Sequence, residues 1–239
     1  MELHIANPGP LRSSVIGEDS PPEELVAWSV ERFGHMRMAI TTAFGMEGCA
    51  LIDMYAKHGR PMSVIYLDTM FFFEETHRLR RTLQERYPHI RFVNKGTTLT
   101  PEQQADQYGP ELWKTSPDQC CKIRKVEPMD TALADVDVWI TGLRKSQSAT
   151  RTSLRVVEWD WKFQVFKVNP LANMERGQIW EYIQEHQVPY NELHEKGYPS
   201  IGCTHCTKAV AGATAADYTR AGRWNGTQKT ECGLHGYGI

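Results

Sequence analysis

Six cysteines carry most of the chemistry open to this chain: Cys49, Cys120, Cys121, Cys203, Cys206 and Cys232. Two close-spaced pairs, the tandem Cys120-Cys121 and the Cys203-x-x-Cys206 motif, bring four thiolates from distant parts of the sequence. Four thiolates are the ligand set of a [4Fe–4S] cluster or of a structural zinc. The tandem pair favours the cluster. Zinc sites usually separate the members of a pair so that both sulfurs turn inward. Adjacent side chains instead diverge by about 100° on a helix and point to opposite faces of a strand. A cluster with separate iron corners accommodates that divergence. Lys122, Arg124 and Lys125 follow the pair directly, and cations there would stabilise an anionic core. Buried apolar packing, common for free cysteine, does not explain the pairing.

Cys49 stands alone in an apolar stretch and is expected in the core. Cys232 differs again. It lies in KTECGLHGYGI, seven residues before Ile239. A glycine-flanked arm there is expected to be mobile, so its thiol could swing onto a ligand and then out to a partner. Lys229 and His235 are placed to lower its pKa, with Glu231 opposing. The alternative is an idle thiol in a loose tail.

Anion-binding chemistry appears in three further segments. TTAFGMEG has small residues and glycines that let backbone N–H groups approach an oxyanion at a helix start. It matches neither the G-x-G-x-x-G nor the P-loop pattern. In LDT, Asp68 could accept from a ribose hydroxyl or an adenine amine, with Thr69 as donor; a helix cap is the alternative. TGLRKSQSATR carries Arg144, Lys145 and Arg151 around Gln147 and Ser148, and guanidinium forks match phosphate and sulfate.

The elements that must position these groups read as alternating strands and helices. Ser20, Pro21 and Glu23 signal a helix start, with Val26, Val30 and Phe33 as its buried face. Strands are predicted at Met36–Phe44, Ser63–Leu67, Ile90–Val93, Val136–Ile140 and Phe163–Val168. Helices are predicted over CALIDMYAKHG, over FEETHRLRRTLQERY and around Ile179, Trp180 and Ile183. Alternation of this kind implies an α/β fold with a doubly wound, mostly parallel sheet. The anion-binding segments then fall at the carboxyl ends of strands, where such sheets bind ligands. From about Tyr190 the chain becomes an irregular, Cys-containing segment. Residues 1–19 read as a flexible lead-in and 224–239 as a mobile tail on a single domain, 1–239.

The composition, 41% hydrophobic and 23% charged over 239 residues, is that of an ordinary globular chain. A net charge of −2 gives no general basis for nucleic-acid binding. No apolar run approaches the roughly 18 residues of a membrane span, and no secretory signal is seen. The expected compartment is the reducing cytoplasm, where paired cysteines read as ligands or nucleophiles and seldom as disulfides.

CCKIRKVEP, PSIGCTHC, AGRW and KTECGLH, together with LDT and TGLRKSQSATR, closely resemble the assimilatory adenylyl-sulfate (APS) and phosphoadenylyl-sulfate (PAPS) reductases over roughly Met38 to His235. The resemblance implies an adenine nucleotide α-hydrolase-like, Rossmann-like fold. It makes Cys232 the nucleophile that attacks the sulfonucleotide, expels AMP and carries an S-sulfonate. Thioredoxin or glutaredoxin would then release sulfite. It puts one [4Fe–4S] cluster per chain on Cys120, Cys121, Cys203 and Cys206, with an electrostatic and structural role. Lys125 would link the cluster to the substrate's anionic groups. Arg144, Gln147 and Arg151 match the arginine loop, and Arg220 and Arg223 match arginines that close over the phosphosulfate. His235 belongs to the tail motif, Gly45 and Glu47 to the phosphate loop, and Asp68 and Thr69 to LDT. Thr41-Thr42-Ala43 departs from the serines of many relatives. The four-cysteine set favours APS over PAPS, and the family suggests a homo-oligomer. An adenylating pyrophosphatase-type enzyme and a zinc-bearing binding module are the rival classes. The first lacks its usual S-G-G-x-D-[ST] loop here, and metal analysis separates the second.

Overall fold

The computed structural model describes residues 16–217, 220–224, 229 and 231–235. Six strands form one sheet: β1 (Met38–Thr41), β2 (Met62–Tyr66), β3 (Ile90–Asn94), β4 (Val138–Ile140), β5 (Val157–Asp160) and β6 (Val165–Val168), in the order β3-β2-β1-β4-β6-β5. All pairings are parallel except β5 on β6. The helices are α1 (Pro22–Phe33), α2 (Met46–Ala56), α3 (Glu74–Arg86), α4 (Pro101–Tyr108), α5 (Leu112–Thr115), α6 (Pro117–Cys121), α7 (Glu127–Leu133) and α8 (Arg176–Glu185). None of the described helices is long and apolar enough to cross a membrane.

Alternation along the central strands sends side chains to two cores. Ile40, Val64, Ile140 and Val168 face one side, against Val26, Leu51, Ile179 and Ile183 from α1, α2 and α8. Ala39, Ile65, Trp139 and Val165 face the other, against Met129 and Leu133 of α7. In register, Ala39 lies beside Trp139, so the smallest side chain of that face makes room for the largest. The chain winds outward from β1 in both directions. The break in strand order lies between β1 and β4, where doubly wound sheets open a crevice.

Three local expectations shift. Helix α1 begins at Pro22 behind Pro21, with no side-chain cap. Ser20 Oγ instead accepts from Gly17 N–H at 3.1 Å. Strand β1 is shorter than Met36–Phe44 at both ends: Met36 N–H turns back to Phe33 O at 2.8 Å, and Phe44 lies beyond the strand in the left-handed region (φ 58°). Strand β5 and helices α4 to α7 are additional to the sequence reading; the Thr100–Gln103 capping box of α4 is a signal that could have revealed one of them. Of the lead-in, residues 1–15 lie outside the described residues, while Glu18 accepts from Arg155 Nε at 3.2 Å. Of the tail, 225–228, 230 and 236–239 lie outside them.

Candidate active site

A cavity of about 220 Å³ opens at the carboxyl ends of β1, β2 and β4. Ten of the twelve positions expected to bind or transform a nucleotide line it: Gly45, Glu47, Thr69, Lys125, Gln147, Arg151, Arg220, Arg223, Cys232 and His235. Asp68 and Arg144 do not. Asp68 Oδ1 accepts from Met70 N–H at 2.8 Å, so its carboxylate closes a local turn. It does not cap α3, which starts at Glu74.

Arg144 is held below the cavity floor by Glu47. One oxygen of that buried carboxylate takes Arg144 Nε at 3.1 Å, Arg144 Nη2 at 3.0 Å and Arg176 Nη1 at 3.2 Å. Burial works to raise the Glu47 pKa, but Arg176 and Arg144 outweigh it and hold the carboxyl below its ordinary 4.5. The pair of guanidiniums ties the start of α2 to the arginine loop and to α8, and Arg176 had given no sign of this in sequence. Glu47→Gln is expected to cost about 3–5 kcal/mol, since two buried cations lose their counter-ion. A depressed folded pKa means the contribution is complete above the unfolded value and lost as pH falls through the folded one. The gap in thermal stability between wild type and variant should therefore be full at neutral pH and shrink only below about pH 4.5. A gap independent of pH would contradict this assignment.

Thr42 shapes the loop above β1. Its Oγ1 accepts from Phe44 N–H at 2.8 Å, and a Cβ on Gly48 would lie 2.1 Å from the same oxygen. Glycine at 48 is thus required for the loop to lie against α2. Across the cavity, Arg151 Nη1 donates to Gln147 Oε1. Arg223 Nε donates to Cys206 O at 3.1 Å and its Nη1 to Ser200 Oγ at 3.3 Å. Trp224 lies under two guanidiniums, 4.5 Å from Arg223 and 5.1 Å from Arg220.

A smaller pocket adjoins the cavity. It is lined by Cys120, Cys121, Cys203 and Cys206 with Arg124 and Lys125. The tandem cysteines end α6, and the chain widens at once into a π turn, Lys122–Val126. Such turns are frequent at functional sites. Burial first, then the neighbouring thiols, pushes Cys120 up to about 12, and burial pushes Cys206 up to about 11. Thiols in this setting become ligands only when a cation takes the proton's place. Arg124 is buried over Phe71 (4.3 Å), bonded through Nε to Gln104 Oε1 (2.7 Å) and through Nη1 to Thr69 O (2.8 Å). Its Nη2 is buried with no partner among the described residues. An orphaned cationic donor beside four thiols fits an anionic cluster. No three of the described His, Cys, Asp or Glu side chains converge on a single metal ion. Lys125 lines both pockets; burial pulls its pKa down, but Cys203, Cys121 and Cys232 prevail and raise it. Thr69 Oγ1 is 3.3 Å from Cys203 Sγ, so LDT also joins the two pockets.

The segment carrying Cys232 lies in the cavity. Leu234 packs with the core around Met129 and Trp139, and His235 stacks on the Trp139 ring at 5.0 Å and 12°. Burial, then Lys167 and Arg151, drives the His235 pKa well below 6.5. That direction works against the imidazolium form that would lower a neighbouring thiol's pKa. Lys229 pairs with Asp118. Trp139 itself is fully buried in the core on that side of the sheet, and nothing in the sequence signalled that the tail would rest on it. Cys49 is fully buried, its thiol pushed up to about 12 by burial.

A phosphoadenosine phosphosulfate reductase domain matches residues 37–209. The chain is 45% identical over 212 residues to the adenosine 5′-phosphosulfate reductase of Lysinibacillus sphaericus, covering 89% of each. It resembles the crystal structure of the phosphoadenylyl-sulfate reductase of Candida auris in complex with phosphate. The TM-score is 0.68 at 34% identity, over 80% of this chain and 91% of that one. At 14% identity and a TM-score of 0.55, the FMN adenylyltransferase of Candida glabrata shares the fold alone, over 88% of this chain and 74% of that one.

Proposed function

Because this chain belongs to the phosphoadenosine phosphosulfate reductase domain family, we propose that it reduces adenosine 5′-phosphosulfate to sulfite and AMP in sulfate assimilation, with Cys232 as nucleophile. The observation that carries the residue assignment is the meeting of Cys232 with Lys125, Arg151, Arg220 and Arg223 in one cavity.

The Cys232 thiolate attacks the sulfur of the activated sulfate. The bond from that sulfur to the bridging phosphate oxygen breaks, the oxygen keeps the electron pair, and AMP leaves. The four cations offset charge that builds on that oxygen. Cys232 then carries an S-sulfonate. A dithiol partner of the thioredoxin or glutaredoxin type attacks Cys232 Sγ and sulfite departs with the electron pair. The partner's second thiol resolves the mixed disulfide, so the dithiol supplies both electrons. Cys120, Cys121, Cys203 and Cys206 would hold a [4Fe–4S] cluster, one per chain, which would supply fixed charge and a structural tie beside the cavity. Lys125, between the two pockets, faces the substrate's anionic groups. The protein works in the cytoplasm, as a homo-oligomer.

Mass spectrometry after mixing the purified protein with APS tests the reading. A sulfonate adduct on the Cys232 peptide is expected, removed by reduced thioredoxin. An unmodified tail would overturn the nucleophile. An adduct that forms faster with PAPS would reverse the substrate preference.

A further inference from the structure

Glu231 was expected only to oppose the thiolate beside it, yet it makes the best-defined polar contacts of the Cys232 segment. Its carboxylate is 3% exposed. Oε2 takes Arg151 Nη2 at 2.8 Å and lies 3.4 Å from Arg220 Nη2, while Oε1 accepts from Ser148 Oγ at 3.1 Å. At the other end of the same short segment, Leu234 and His235 rest on the apolar wall around Trp139. Cys232 lies between these two anchors.

We propose that Glu231 is a positioning residue, the ionic half of a two-point clamp that seats residues 231–235 and so aims Cys232 into the cavity. The inference rests on the nucleophile reading above. It differs from a simple account in which Glu231 stands in for the ligand's anion and must leave before binding. A guanidinium carries five N–H donors on three nitrogens. Glu231 uses one Nη of each arginine. Nε of Arg151 and Nε of Arg220 remain buried without a partner among the described residues. Each arginine can thus hold the tail through one nitrogen and a phosphosulfate oxygen through another. The charges agree: Glu47 is matched by Arg144 and Arg176 behind the cavity wall. Lys125, Arg151, Arg220 and Arg223 line the cavity together with Glu231, and an incoming dianion would meet them there.

The test compares wild type with Glu231→Gln, as full-length protein, without turnover. Iodoacetamide labelling of Cys232 is followed on the tail peptide across pH, so that the rate of the fully ionised thiol is compared and loss of a neighbouring charge does not enter, and AMP affinity is measured alongside. The clamp predicts labelling faster by about tenfold or more, because a buried ion pair no longer holds the segment, with AMP affinity unchanged. Labelling at the wild-type rate would refute the clamp. AMP binding tightened about tenfold would also refute it, since removal of a competitor does that. If Glu231→Gln proves unstable on thermal unfolding, Glu231→Asp is read the same way, since it keeps the charge and shortens the reach. Neither readout needs an S-sulfonate, so failure of the catalytic assignment would register separately, as wild type that forms no adduct with APS.

Discussion

Cys232→Ala is expected to lower turnover of APS by about 10⁴-fold or more while AMP still binds, because no other described thiol can take over. Cys49 is sealed in the core with a thiol that scarcely ionises. Cys120, Cys121, Cys203 and Cys206 line the neighbouring pocket, and none of them lines the cavity that Cys232 lines. The cations that would hold the phosphosulfate come from the arginine loop, the π turn and the 220–224 segment, and alanine at 232 leaves them in place. Binding and chemistry should therefore separate: nucleotide affinity and iron content as in wild type, sulfite formation at background. Sulfite release near the wild-type rate would remove Cys232 from the reaction.

The reverse pattern is expected of Cys203→Ala. This thiol lies with Phe71, Leu112, Cys120 and Ile123 in a small apolar cluster. It also touches Thr69, whose backbone oxygen receives Arg124. On the proposed ligand set, loss of one thiol of four would release the cluster, and the remaining buried groups would lose the charge that organised them: three thiols, the Arg124 guanidinium and Lys125. The expected result is iron and acid-labile sulfide near zero and a fold weaker by about 4 kcal/mol or more, the scale of a lost metal site. Since Lys125 and Thr69 also line the nucleotide cavity, AMP affinity should fall as well. Metal analysis with thermal unfolding checks this; a variant that keeps its iron and its stability would exclude Cys203 as a ligand. One zinc in the wild-type protein would redirect the site to the structural-metal alternative.

Much of the active site was legible in local sequence because its parts recur at strand ends. Thr69 and Gly45 follow parallel strands, and a doubly wound sheet delivers all such ends to one edge. The cysteine pairs were legible because paired thiols have few explanations. Helices α4 to α7 were less so. They are short; α5 and α6 pack around the thiol pocket, and α7 has only seven residues against the sheet, too few to show a clean amphipathic period. Strand β5 was hidden for another reason: Val157–Asp160 is half-exposed throughout, so it lacks the apolar run that marked its neighbours.

Residue types and spacing by themselves pointed to an α/β chain with two pairs of thiols, a separate cysteine near the C-terminus and basic groups at strand ends. Only the tertiary structure decided where each charge points. Arg144 and Arg151 lie in one loop and look alike in sequence. Arg144 is bound by Glu47, 97 positions away, and Arg151 by Glu231, 80 positions away. A long side chain reaches several partners from one backbone position, and buried charge must be matched, so distant counter-ions choose its direction. That selection depends on contacts between segments that no local pattern encodes, and it separates the arginines of the cavity wall from those that hold the wall in place.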